Sequence, residues 1–89
     1  MGNNLVILEP DRLQAIGEAS MILAADPSGV GMHYVPDDKG VIAMSRLVQP
    51  TESYAIYFNT PEEPGEYTFI CTFPGHWMIM RGILEIVEE

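Results

Sequence analysis

A single cysteine, Cys71, rules out an internal disulfide, so cysteine usage says nothing about an oxidising compartment. Cations are scarce as well: four Lys+Arg stand against thirteen Asp+Glu, a formal net charge of −9 at pH 7. That balance repels phosphate backbones and anionic lipid, which argues against nucleic acid as a partner. The acidic residues are spread along the chain, as a solvated acidic face would be, and the charge is compatible with a basic partner protein. No apolar run approaches the ~20 residues that span a bilayer, and the first residues have neither a cationic n-region nor an apolar h-region. The chain reads as soluble; an exported form would have shed its leader, so Met1-Gly2 need not be the native terminus.

At 89 residues there is room for one domain, spanning 1–89. A domain of this size buries only about 60–65% of its unfolded surface, so a metal ion, a partner chain or self-association is expected to add to its stability. Its 47% hydrophobic and 19% charged residues are ordinary for a chain that folds. Residues 4–9 (NLVILE) are aliphatic and β-branched, stop at Pro10 and read as a buried strand. Over residues 11–25 the period lengthens. Leu13, Ile16, Ser20 and Leu23 fall at helical spacing behind Asp11 as N-cap, which predicts one short amphipathic helix. Asp26-Pro27-Ser28-Gly29 closes it, and Pro36-Asp37-Asp38-Lys39-Gly40 marks a second turn. Short strands are then expected at 41–44, 45–48, 53–58, 66–72 and 82–87, separated by turn clusters such as Thr60-Pro61-Glu62-Glu63-Pro64-Gly65. In residues 53–58, Tyr54, Ile56 and Phe58 alternate with Ser53, Ala55 and Tyr57, the period-two pattern of a strand with one face on a core. Strands so spaced point to a β-sandwich or barrel.

The stretch that carries chemistry is Cys71-Thr72-Phe73-Pro74-Gly75-His76-Trp77-Met78-Ile79-Met80. It sets a thiol, an imidazole and a thioether at Cys71, His76 and Met80, with a Pro-Gly turn between the first two. A trigonal His₂Cys set with a weak axial Met marks a blue-copper site. Thiolate and thioether favour Cu(I) while imidazole suits both oxidation states. A geometry between their preferences lets the ion change charge with little movement.

Cys-Thr-Phe-Pro-Gly-His at 71–76, followed by Met80 and Arg81-Gly82, resembles the azurin and auracyanin branch of the cupredoxins. The likeness runs back through residues 41–47, and the helix at 11–25 falls where azurin inserts one. The resemblance implies a mainly β, cupredoxin-like Greek-key β-sandwich with one short helix, truncated at the N-terminus, since two family strands ahead of this segment are not in the sequence. The chain is then a single, partial cupredoxin domain. It also implies a type 1 copper-binding electron-transfer module, with one copper ion, a redox protein partner, no membrane, and a periplasmic or extracytoplasmic location. The implied metal ligands are Cys71, His76 and axial Met80, with a weak contribution from the Gly2 carbonyl. A first histidine belongs in a Met-Gly-His-Asn-like segment, where this chain has Met1-Gly2-Asn3-Asn4. Asn3 thus holds the position of the missing histidine. Its neutral amide oxygen is a poor substitute for imidazole on copper and should weaken binding. Asn4 matches an asparagine whose side chain ties the ligand loops together, here to Thr72. His76 is expected at the surface, framed by Phe73, Pro74 and Trp77.

Uncovered strand edges predict homo-oligomerisation by strand pairing or by exchange of an element between chains. The alternative function is therefore a fragment with an impaired copper site, acting as a structural, oligomerising domain. A multicopper enzyme needs further histidine clusters, whereas this chain has only His33 and His76. A hydrolase built on Cys71 lacks a third group to orient His76. The chain is accordingly read as a non-enzyme. His33 is expected away from the metal, Met78 as filler, and Met21, Met32, Tyr54, Tyr57 and Phe58 as core or oligomer contacts.

Overall fold

Three consecutive branched aliphatic residues, Val6–Leu8, form β1, and all three are buried. A continuous apolar run suits a strand covered on both faces, and β1 is such a strand. The computed structural model describes residues 2–88, so the Met1 of the expected opening segment lies outside it. Its strands make one four-stranded antiparallel sheet, in the order β2-β1-β3-β4, with β2 Val41–Met44, β3 Gly65–Ile70 and β4 Arg81–Ile86. β1 meets β2 through Val6↔Met44 and Ile7↔Ala43, then slips register to reach Val41. On its other side it meets β3 through Val6↔Ile70 and Ile7↔Phe69. β3 and β4 pair along their whole length, from Gly65↔Ile86 to Ile70↔Arg81. The segment between these two strands therefore begins and ends on neighbouring strands.

Helix α1, Leu13–Ala25, covers one face of the sheet. Its inward face is Ile16, Gly17 and Ser20; of the residues read at helical spacing, Ile16 and Ser20 are buried and Leu13 and Leu23 half-buried. Ile16 packs in a cluster with Val6, Leu8, Val35, Ile70 and Trp77, flanked by Leu13 and Val41. Burying a side chain of that size stabilises by about 1.5–3 kcal/mol. The helix starts later than expected and Asp11 is not its cap. Asp11 sits at φ 65, a left-handed turn conformation, and Arg12 occupies the N-cap without a side-chain bond. Arg12 instead reaches out to Asp38 at 2.7 Å. At the other end, Asp26 accepts from both the amide and the hydroxyl of Ser28, each at 2.8 Å, and so turns the chain into the short 3₁₀ segment Gly29–Met32.

The architecture is mainly β with one helix, as expected, but two of the expected strands are not formed. Residues 45–48 contribute only an isolated bridge from Val48 to Asn3. Ser45 explains the break: its hydroxyl accepts the Leu5 amide at 2.9 Å while its own amide donates to Leu5 at 2.9 Å, a side-chain contact that replaces the next ladder step. Residues 53–58 carry the period-two pattern yet form no strand, because no neighbouring backbone pairs with them among the described residues. Tyr54, Tyr57 and Phe58 are exposed there, and so are Met21 and Met32, which are not core residues. The described strands form this one sheet, with α1 packed against it through Ile16.

Candidate metal centre

Cys71 follows the last residue of β3, and Met80 precedes the first of β4. The hairpin brings the two ends of the loop together, and the Cys71 amide donates to the Met80 carbonyl at 3.0 Å. Within the loop the chain turns at Pro74-Gly75, where Gly75 takes φ 84, a conformation that a Cβ disfavours. The His76 amide donates to Phe73 at 2.9 Å, and the His76 carbonyl accepts from Ile79 at 3.0 Å and Met80 at 2.8 Å. His76 is thereby folded back over Cys71.

Around the Cys71 sulfur the side chains converge. His76 Nδ1 stands 3.5 Å from Sγ, and Asn3 Oδ1 stands 3.7 Å from it. The Asn4 amide donates to the same sulfur at 3.5 Å. Cys71 is only 4% exposed. Cys71, Ile79 and Met80 also line a common cleft with Asn4 and Leu5. Asn3 is held by backbone bonds in both directions with Val48, at 2.9 and 2.7 Å. Gly2 is buried beside Leu47 and Gln49.

Asn4 ties the two sides together, as expected. Its Oδ1 accepts the Thr72 amide at 2.8 Å, and its Nδ2 donates to Thr72 Oγ1 at 2.8 Å and to the His33 carbonyl at 2.9 Å. Asn4 and Thr72 are both buried, so these bonds are shielded from water. The His33 ring accepts the Leu47 amide at Nδ1 across 3.3 Å. Sequence reading placed His33 off the site but gave no hint that its carbonyl braces Asn4, because a backbone acceptor has no residue signature.

The aromatic frame differs from the expected one. Phe73 lies against the His76 ring, centroids 4.9 Å apart, and Tyr34 packs edge-on to Phe73 at 5.8 Å. Tyr34, not Trp77, completes the outer pair. Trp77 is 6% exposed and belongs to the core cluster under α1. Met78 and Ile79 are exposed, and Met80 is 40% exposed.

The spacing of the polar atoms fits a single bound ion. Sulfur and nitrogen or oxygen ligands roughly 2.0–2.3 Å from one metal, at trigonal to tetrahedral angles, stand about 3.5–3.8 Å from each other. The Cys71–His76 and Cys71–Asn3 distances, 3.5 and 3.7 Å, fall at that separation, which is also the ordinary length of a hydrogen bond to sulfur. Among the described residues no group of three or more His, Cys, Asp or Glu side chains is placed to hold a metal. Beside Cys71 and His76, the further donor-bearing side chains next to the sulfur are Asn3, at 3.7 Å, and Met80, which lines the same cleft.

A family model described as copper binding proteins, plastocyanin/azurin family, matches residues 1–87. An azurin from Alcaligenes faecalis is 32% identical over 89 residues, covering 97% of this chain and 66% of that protein. Among solved structures, the azurin Az-iso2 from Methylomonas sp. strain J superposes with a TM-score of 0.82 at 27% identity, over 99% of this chain and 67% of the other. Auracyanin A, a blue copper protein from Chloroflexus aurantiacus, gives a TM-score of 0.79 at 31% identity, over 98% of this chain and 68% of the other. The chain spans about two thirds of the length of these relatives, 66% and 65% of the two azurins from Alcaligenes species.

Proposed function

The chain belongs to the plastocyanin/azurin family of copper-binding proteins, and on that premise we propose that Cys71, His76, Met80 and Asn3 hold one type 1 copper ion used to pass single electrons. The observation that carries this reading is the convergence of His76 Nδ1 and Asn3 Oδ1 on the buried Cys71 sulfur at metal-sharing distances. When bound, copper supplies a one-electron couple. The protein's part is to keep the donors in place and water away: Asn4 pins Thr72 beside the cysteine, and Phe73 shields one side of the His76 ring. Met80 would add a weakly binding thioether to the set, and the Gly2 carbonyl would contribute at most a distant contact.

His76 is the exit for the electron. It is half-buried, and the exposed Met78 and Ile79 beside it offer an apolar contact surface. The partner is a redox protein, not nucleic acid, and the net charge of −9 favours one with a basic face. No helix among the described residues is long and apolar enough to cross a membrane. By family the setting is periplasmic or otherwise extracytoplasmic, and the role is electron transfer without substrate chemistry. The test is metal loading of the reduced protein: it should retain one copper per chain through gel filtration, and Cys71→Ser should not. Equal retention by both would remove the reading.

A second reading, self-association through strand edges, is favoured by residues 53–58. Their alternating apolar side chains are exposed for want of a paired backbone, and β2 and β4 are the outer strands of the sheet. Light scattering at micromolar concentration should report a dimer or larger species; a monomer at all concentrations contradicts it.

A further inference from the structure

The donor set at Cys71 is short of an imidazole. Within metal-sharing distance of Sγ there is one ring nitrogen, His76 Nδ1, and one amide oxygen, Asn3 Oδ1. The chain's other histidine, His33, is committed elsewhere, its Nδ1 accepting the Leu47 amide. Both backbone bonds to Val48 hold position 3 in place, so whichever side chain stands there is the one presented to the sulfur. A metal at this point therefore meets one thiolate, one thioether, one imidazole and a neutral amide oxygen.

These donors do not serve the two oxidation states of copper equally. Thiolate and thioether select Cu(I), and imidazole suits both states. Cu(II), the stronger Lewis acid, gains more from a strongly donating imidazole, so it loses more when an amide oxygen stands in its place. Burial acts in the same direction. Cys71 is 4% exposed, and a singly charged ion neutralised by one thiolate costs less to desolvate than an ion that leaves a net positive charge.

Resting on the copper reading above, we propose that Asn3 makes this site selective for the cuprous ion. The chain holds Cu(I) tightly and Cu(II) weakly, which raises the potential of the bound couple over that of the same site with histidine at position 3. Each tenfold change in the ratio of the two affinities corresponds to about 59 mV for a one-electron couple.

The experiment partitions Cu(I), under anaerobic conditions, against a cuprous chelator, and cupric sulfate against a cupric chelator. It uses the full chain, Asn3→His and Asn3→Ala, with far-UV circular dichroism confirming equal folding. The expected result is that Asn3→His gains Cu(II) affinity by at least about tenfold, or about 1.4 kcal/mol, while its Cu(I) affinity stays within a few-fold. Asn3→Ala should bind neither ion more tightly than the native chain, since it only removes the amide oxygen. Equal gains for both ions in Asn3→His, or Cu(II) affinity in the native chain already equal to that of Asn3→His, would overturn the inference and leave the copper reading intact. Failure of the native chain and of Asn3→His to bind either ion would overturn both.

Discussion

Trp77 fills a notch that Gly17 leaves in α1: a Cβ at position 17 would collide with the indole ring. Because Trp77 directly follows His76, this contact fastens the helix to the loop that bears the candidate ligands. The indole is buried for its area alone. Its Nε1 is the one buried side-chain nitrogen or oxygen among the described residues without a hydrogen-bond partner.

Gly17→Ala should therefore destabilise the fold. Alanine gains up to about 1 kcal/mol of helix propensity over glycine, but overpacking a well-filled site costs about 1–3 kcal/mol. The urea midpoint should fall. In contrast, Gly31→Ala meets nothing within 4 Å and should leave it unchanged.

Removing the brace at Asn4 should cost more than a surface bond. Asn4→Ala deletes three side-chain hydrogen bonds and strands the Thr72 amide in a buried place. A loss of about 2–3 kcal/mol is expected, since an unmet buried donor alone costs about 1–3 kcal/mol. Hydrogen exchange at the Thr72 amide should accelerate by more than the global change in stability accounts for.

Copper should stabilise the chain by mass action. At a free copper concentration a hundredfold above the dissociation constant, the gain is about 2.7 kcal/mol, reversed by a chelator. Thermal unfolding with and without metal measures it, and Cys71→Ser should show no such gain.

Acid should weaken the chain through Asp38. The Gly40 amide first, and then the Arg12 guanidinium, hold its carboxyl below the usual value of 3.8. A carboxyl lowered on folding contributes stability above its unfolded pKa and loses it as pH falls through the folded one. Asp26, held low chiefly by the Ser28 amide, acts in the same direction. Tyr67 works at the other end. Burial first, then the nearby Glu9 and Glu63, raise it above 10.0, so its contribution is full below pH 10 and disappears as pH rises through the folded value. Asp38→Asn should flatten the acid limb of a stability–pH curve, and Tyr67→Phe the alkaline limb.

The ligand loop was legible in the sequence because its chemistry is local. Cys71, His76 and Met80 are spaced by the turn that Pro74-Gly75 makes, and one hairpin carries them all. The helix and the strands at 41–44, 65–70 and 81–86 were legible for a similar reason, since each follows from periodicity within its own segment. Residues 53–58 have the same kind of pattern and yet form no strand. Alternation records which side chains suit a sheet, but a strand exists only where another backbone supplies its hydrogen bonds.

By itself, then, the sequence determined the donor types at the candidate site, the turn that gathers them and the identity of the residue at position 3. Tertiary structure alone decided that Asn3 reaches Cys71 across a separation of 68 residues, that the His33 carbonyl braces Asn4, and that Trp77 belongs to the core. The reason is physical: residue type and spacing set what a short segment can do, whereas contacts between distant segments depend on sheet order and on which neighbour is there to be touched.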